Sequence, residues 1–373
     1  MTRVQQVISM LSGLAPGELT CEWDNSGVQV GNLNRGVENI LLTLDVTEQV
    51  LEEALQKKCG MVIAHHPLLF NPIKAVHNQS AIGNNIIKAI KNDIFIYAAH
   101  TNLDIAPGGL NDYLAKLLGV KETSPLQVEQ EKKFKKIVTF VPEDHLKEVK
   151  EAIFTKGAGF IGNYSHTSFR TEGEGTFKPA TDTQPFTGKK GKVNKVREMR
   201  LETIAPAGKV ERVVKALVKA HPYEEVAYDI YPLDNREDVY GLGRIGKLSE
   251  KVRFSSYMDK ISRVLDRDYI RYTGSLDKEI KKVAVCNGAG ADLISRAAAR
   301  GADLFVTGDI KYHEAQLSER LGVMLVEAGH YESEVMVIDL LYDYLLQQIV
   351  KENLEINLIK SEVNTNPWSV WKQ

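Results

Sequence analysis

Cysteine is scarce in this 373-residue chain: Cys21, Cys59 and Cys286 are widely spaced and form no C-x-x-C pair. That pattern rules out a cysteine zinc knuckle and suits a reducing compartment. No apolar run approaches the ~20 residues that a membrane-spanning helix needs. The opening MTRVQQVISMLSGL has helical periodicity but no small-residue cleavage site, so it does not read as a signal peptide. The expected location is therefore the cytoplasm, with no membrane partner. A Walker-type phosphate loop is also missing. Charge of one sign is not in excess, with 47 Lys/Arg against 49 Asp/Glu and a net −2. That balance argues against a protein whose whole surface grips nucleic acid.

What is present is the composition of a globular protein, 43% hydrophobic and 26% charged, with ample apolar material for a core. The length suits two or three domains. The charge is uneven. Residues 132–235 carry 19 Lys/Arg and 14 Asp/Glu, whereas the remainder carries 28 and 35. A separate, basic middle module is the first implication.

Two internal resemblances define the expected architecture. ILLTLD (Ile40–Asp45), a helix-like run and MVIAHH (Met61–His66) follow a β-α-β pattern, as do KVAVCN (Lys282–Asn287), a helix-like run and DLFVTG (Asp303–Gly308). Asp45 to Asn287 and His65 to Thr307 are both offsets of 242. After 12 extra residues in the first copy, the match resumes at 230, pairing His100 with His330 and Asp104 with Glu334. Apolar strands alternating with helices imply parallel sheets covered on their faces. Right-handed crossovers would set the strand ends along one edge.

The second resemblance lies within the basic middle. Pro142 and Pro206, Val149 and Val213, and Ala152 and Ala216 are each 64 apart. Each copy reads as a strand, a proline or glycine break and an amphipathic helix. Extra strands are expected at YSHTSFRTE and EVAYDIYPL, giving the β-α-β-β-α-β order of a ferredoxin-like module. GEGTFKPATDTQPFTGKKGKVNK between the halves reads as a long exposed loop. The expected fold is an α/β domain of two pseudo-symmetric halves, residues 1–125 plus 236–373, interrupted by a ferredoxin-like insert at 126–235.

Four of nine histidines fall at or just beyond expected strand ends: His65, His66, His100 and His330. In a strand His65 and His66 would face opposite ways. Pro67 lacks a backbone donor and restricts His66, so the strand must bend or stop there. Both imidazoles can then turn to the C-terminal edge, where open α/β sheets bind ligands. His330 and Glu334 are four apart at a helix start and share a face. Imidazole with carboxylate suits a borderline divalent ion. HTNLD repeats the spacing with His100 and Asp104, although the Pro107-Gly108-Gly109 turn favours a loop there. Two such halves suggest two ions with a carboxylate able to bridge them.

WDNSGVQVGN (Trp23–Asn32), AHHPLLF (Ala64–Phe70), HTNLD (His100–Asp104), TGD (Thr307–Asp309) and GHYESE (Gly329–Glu334) resemble the family of GTP cyclohydrolase I type 2 homologues, also called the Nif-three family. The likeness spans essentially the whole chain outside the insert. It implies a dinuclear divalent-metal centre between two α/β halves. By motif, His65 and His330 would hold one ion, His66 and Asp104 the other, and Glu334 would bridge them. Zinc is the first expectation, with iron, manganese or nickel also compatible. His100 and His313 are the candidate proton-handling residues, the alternative for each being a structural role. Asp24, Asn25 and Ser26 can cap a helix or line the pocket. The insert resembles the PII-like and CutA-like trimeric proteins, and family members with such an insert imply a hexameric ring. His221, Glu224 and Glu225 offer a further metal set, against the plainer reading of a helix end at His221-Pro222. GAGAD (Gly288–Asp292) opens a helix and can receive an anion.

The leading functional expectation is a metal-dependent hydrolase acting on GTP or a phosphoester. The alternative is a non-catalytic, metal-responsive ring or metabolite sensor acting through its PII-like insert. A third reading, single-strand nucleic-acid binding through Lys132–Lys136 and Lys189–Lys195, is weakened by the lack of interleaved aromatics apart from Phe134.

Overall fold

The segments NILLT, MVIA and FIYA carry almost no polar residue, which suits strands covered on both faces. They form the strands Asn39–Thr43, Met61–Ala64 and Phe95–Ala98 of the computed structural model, which describes residues 2–371 apart from the side chains of 131–132 and 236–238. One face of this sheet, with Ile40, Leu42, Ile63 and Phe95, enters the largest core; the other, with Leu41, Val62 and Ile96, packs on the helices Glu48–Gln56 and Ala81–Lys91. Both helices start on side-chain caps, Thr47 accepting from the Val50 N–H and Ser80 from the Gly83 N–H.

The chain forms two compact units, 1–130 with 240–373, and 131–239. In the first unit the five-stranded sheet has the order Asn357–Lys360, Asn39–Thr43, Met61–Ala64, Phe95–Ala98, Gly27–Val30. All neighbours are parallel except the last pair. A second sheet places Arg271–Thr273, Met324–Glu327, Leu304–Thr307 and Glu279–Cys286 side by side, the last three parallel. One face of each sheet belongs to a single core together with the helices Val4–Leu14, Leu110–Leu117, Phe254–Leu265 and Val337–Glu352. Each fully buried Ile, Leu or Phe side chain there contributes about 1.5–3 kcal/mol by leaving water. The outer face of the second sheet, with Ala284, Phe305 and Leu325, packs on Leu293, Ile294 and Ala297.

Register compares the two sheets directly. Thr43 lies beside Ala64, and Val285 beside Val306, in keeping with the 242-residue offset. The third strands differ: Ala64 faces Ala98, but Val306 faces Val326, so the register equates Ala98 with Val326. That is two residues out of step with the offset of 230.

The 131–239 unit follows the order strand, helix Leu146–Phe154, strands Ser168–Phe177 and Asn194–Pro206, helix Val210–Ala220, strand. Pro142 and Pro206 share an extended backbone, φ −55° in both, and each opens a short 3₁₀ turn before its helix. Ile137, Val141, Val149, Ile153, Leu201, Val213 and others form its own core. The loop expected over residues 173–195 is shorter than the sequence suggests. Gly173 to Phe177 pair with Glu198 to Asn194, because cross-strand pairing tolerates the two glycines and Gly175 leaves room for Glu198. Among the described residues no helix is long and apolar enough to cross a membrane.

Candidate metal centre

The backbone ladder of the Met61–Ala64 strand runs on through the two histidines. The His65 N–H donates to Thr43 O at 3.2 Å and the His66 N–H to Leu44 O at 2.9 Å. Pro67, which has no N–H, follows at once. His65 thus continues the buried Ile63 face and His66 the Ala64 face, yet their ring centroids are only 5.2 Å apart. Two short helices bring in the carboxylates. Thr101–Ile105 carries Asp104, and His330–Glu334 begins with His330 and ends with Glu334. His100 caps the first of these helices from outside, whereas His330 is the first helical residue of the second. The sequence repeat equates the two histidines, but their places on the helices differ by one position.

Every histidine of the group is tethered through Nδ1. His65 Nδ1–H donates to Ala99 O at 2.7 Å, His66 to Asp45 at 2.7 Å, His330 to Asp309 at 2.6 Å and His100 to Asp24 at 2.8 Å. Because the partners are a carbonyl and carboxylates, which only accept, Nδ1 bears the proton. For His65, His66 and His330 the Nε2 atoms then meet Glu334: His66 at 2.9 Å and His330 at 3.1 Å from Oε2, His65 at 3.8 Å from Oε1. His65 Nε2 also lies 3.7 Å from Asp104 Oδ1 and has no hydrogen-bond partner, although the residue is fully buried. Asn287 Nδ2 holds both carboxylates, donating to Asp104 Oδ1 at 2.9 Å and Glu334 Oε1 at 3.1 Å. By distance His65 groups with Asp104, and His66 with His330.

The electrostatics favour a cation. Burial alone would depress the His66 imidazolium, but hydrogen bonds to Asp45 and Glu334 override it and lift the pKa to about 10. His330 rises to about 9, chiefly through Glu334. Burial opposes ionisation of Glu334, yet hydrogen bonds with His330 and His66 and the nearby His65 imidazole hold its pKa well below the usual range. Asp104 is pushed up, first by burial, with the nearby Glu334 charge adding to it. A metal-free site must gather protons where a divalent ion would otherwise supply the charge.

Among the described residues, potential ligand atoms lie within 4.8 Å of one another in two sets, His65–His66–His100 and His66–His330–Glu334. His100, expected to handle protons, therefore stands among the candidate ligands. His313 does not. It is exposed on the helix Tyr312–Leu321, its Nδ1 beside Gln316 Oε1 at 3.1 Å. Its position one residue into that helix sets it apart from both sets. Asp24 accepts from Ser26 and Thr101 hydroxyls besides His100, and Asn25 donates to Leu69 O. That triplet fixes the wall behind His100.

Two alternatives raised by the sequence find no support here, whereas the plainer reading of His221-Pro222, a helix end, is what forms. The GAGAD amides are occupied, Gly288 N–H donating to Ser333 Oγ and Gly290 N–H to Thr307 Oγ1. At Gly288 a Cβ would lie 2.1 Å from Glu334 Oε1, so the glycine admits the carboxylate instead of an external anion. His221 gives no lone pair to a metal. Its Nε2–H donates to Phe140 O at 3.0 Å and its Nδ1 accepts from the Tyr223 N–H at 3.2 Å. Sequence reasoning missed Asn287, Asp45 and Asp309 as tethers, although Asp309 lies in the TGD motif and Asp45 pairs with Asn287 in the 242 offset.

His66 and His330 border an open cleft of about 1450 Å³ that also exposes Arg267, Arg271, Lys311 and Trp368. Fold and site together define a mixed α/β protein of several sheets with a histidine–glutamate group of the kind that can hold a metal ion. The chain belongs to the Duf34/NIF3 (NGG1p interacting factor 3) family, whose model matches residues 2–367. It is 40% identical over 374 residues to a GTP cyclohydrolase 1 type 2 homolog of Halalkalibacterium halodurans, covering 98% of each chain. A protein with the same description from Bacillus subtilis is 39% identical over 365 residues, again covering 98% of each. Among solved structures, a Bacillus cereus protein related to NIF3 matches with a TM-score of 0.84 and 43% identity, covering 99% of both chains.

Proposed function

We propose that the protein is a divalent-metal-dependent hydrolase with a dinuclear centre held by His65, His66, Asp104, His330 and Glu334. The observation that carries this reading is the shared tethering of the histidines: Nδ1 is fixed on a protein acceptor while Nε2 of His65, His66 and His330 faces carboxylate oxygens. Outer partners of that kind orient metal-binding imidazoles. The donor set fits the group, since His65 Nε2 is buried without a partner in a pocket of two carboxylates. Nitrogen and oxygen donors suit zinc first, then iron, manganese or nickel. Divalent ions held there would supply Lewis acidity and activate water at neutral pH.

The chain's own residues do the rest. Glu334 presents Oε1 to His65 and Oε2 to His66 and His330, so one carboxylate can serve two ions. Asn287 keeps Asp104 and Glu334 oriented. His100, steadied by Asp24, is the group best placed to accept or return a proton beside His65 and His66. The adjoining cleft is roomy enough for a nucleotide, and its Arg271 and Lys311 suit an anionic one. GTP or a phosphoester is the substrate class we put forward, in line with the description of the relatives. The same reading takes the 1–125 and 236–373 segments as two pseudo-symmetric halves and 126–235 as a PII-like, ferredoxin-like insert in a cytoplasmic hexamer.

A second reading, a non-catalytic metal-responsive sensor, is favoured by an aromatic cavity inside the 131–239 unit. Assaying metal-loaded protein against GTP and a panel of phosphodiesters, with His65→Ala as control, separates the two. Turnover well above the control supports the hydrolase; turnover equal to it removes the enzymatic reading.

A further inference from the structure

The strand Asn194–Pro206 sends Leu201, Thr203 and Ala205 inward, where Leu201 and Ala205 join the core of the 131–239 unit, so Glu198 lies on the opposite face of the sheet. That face is roofed by part of the segment 178–193, through Pro179, Pro185 and Phe186. Between roof and sheet lies a cavity of about 450 Å³, within the ~300–1000 Å³ usual for small-molecule sites.

Its walls have two chemistries. Four aromatic rings line it, those of Phe140, Phe177, Phe186 and Tyr223. Among the described residues, the ionisable groups lining it besides the tyrosine are three carboxylates, Glu198, Glu224 and Glu225, with no Lys, Arg or His. Elsewhere on the same strand acidic and basic side chains are matched across the sheet, Lys195 with Glu174 and Lys136 with Glu202. Among the described residues none of the three cavity carboxylates has such a partner. The Tyr223 hydroxyl is shut off from solvent beside Glu198 without closing a hydrogen bond of normal geometry.

The walls are also built in place. His221 uses both ring nitrogens to fasten the Phe140 carbonyl and the Tyr223 amide. The Gln184 N–H donates to Glu224 at 2.8 Å, tying roof to wall. At Gly175 a Cβ would sit 2.3 Å from Glu198 Oε2, so the glycine makes room for the carboxylate. Aromatic faces attract cations, and Glu198, half-buried beside them, gains from a positive partner, with the exposed Glu224 and Glu225 at the rim adding to the same sign.

We propose that this cavity binds a small organic cation, an amine or quaternary ammonium on an aromatic or apolar body. The site stands whether or not the metal centre is catalytic. Calorimetry on the full chain tests it with three probes of one shape: phenethylamine, 2-phenylethanol and phenylacetate. The amine should bind saturably, about tenfold tighter than the alcohol, and the anion should not bind, as cation–π and charge-assisted contacts require. Glu198→Gln should weaken the amine about tenfold while leaving the alcohol unchanged. Phe186→Ala, on the exposed segment, should weaken both, and an unchanged denaturant melt of each variant reports intact folding. No saturable amine binding, equal affinity for the three probes, or an indifferent Glu198→Gln variant would overturn the proposal.

Discussion

Two similar pieces of sequence, Ala64-His65-His66-Pro67 and Ala220-His221-Pro222, end a buried strand in one unit and an amphipathic helix in the other, and each buries a histidine ahead of a proline. Their chemistry is opposite. His221 spends both nitrogens on backbone partners, and its pKa is lowered, chiefly by burial. His65 spends only Nδ1 and leaves Nε2 among carboxylates, and its neighbour His66 is lifted to about 10. Burial alone therefore does not make a metal ligand. The deciding feature is whether the surrounding backbone has already claimed the second nitrogen.

The largest effect expected from this contrast is at Glu334, which three imidazoles share. Glu334→Ala should cut metal affinity by more than ~100-fold, beyond the usual loss of an outer partner, as read by elemental analysis after dialysis. Next come the tethers: Asp45→Asn and Asp309→Asn should each weaken metal binding about 10–100-fold with little change in fold. His221→Ala should break the comparison from the other side. It strands the Phe140 carbonyl and the Tyr223 amide, lowering stability by about 1–3 kcal/mol in denaturant melts while leaving metal content unchanged.

The contrast also has a sign in pH. For the metal-free protein, the raised His66 and His330 contribute stability that is complete below about 6.5 and lost as pH climbs toward 9–10. The lowered His221 contributes none of this; its burial weakens the fold as pH falls below about 6.5. Hydrogen exchange across pH should therefore show core amides of the first unit loosening at high pH and those near His221 at low pH. Metal loading should flatten the first response and leave the second. The smallest effect belongs to His313→Ala, which should alter neither metal content nor melting, since the residue is exposed and apart from the cluster.

Much of this was legible in the residues. Apolar runs such as Met61–Ala64 mark strands buried on both faces, and the strand ends that follow them carry the histidines. His330 and Glu334 declared themselves through helical spacing. The tethers were not legible, because Asp45 meets His66 and Asp309 meets His330 only after separate loops fold to one edge. The two-residue register difference in the third strands was hidden as well, since a repeat offset records sequence spacing and not the pairing of neighbours. His313, whose place at a helix start beside a strand end suggested proton handling, stands exposed on the helix Tyr312–Leu321 with its Nδ1 beside Gln316 Oε1.

The central claim is that Nε2 atoms left free by their tethers hold divalent ions around Glu334. Quantitative metal analysis of the purified full chain, beside Glu334→Ala and His221→Ala, tests it most directly. The account predicts about two divalent ions per chain in the parent and in His221→Ala, as a two-metal site requires, and essentially none in Glu334→Ala. A parent protein that retains no metal after incubation with zinc, iron, manganese or nickel, or a Glu334→Ala variant that retains it all, would contradict it.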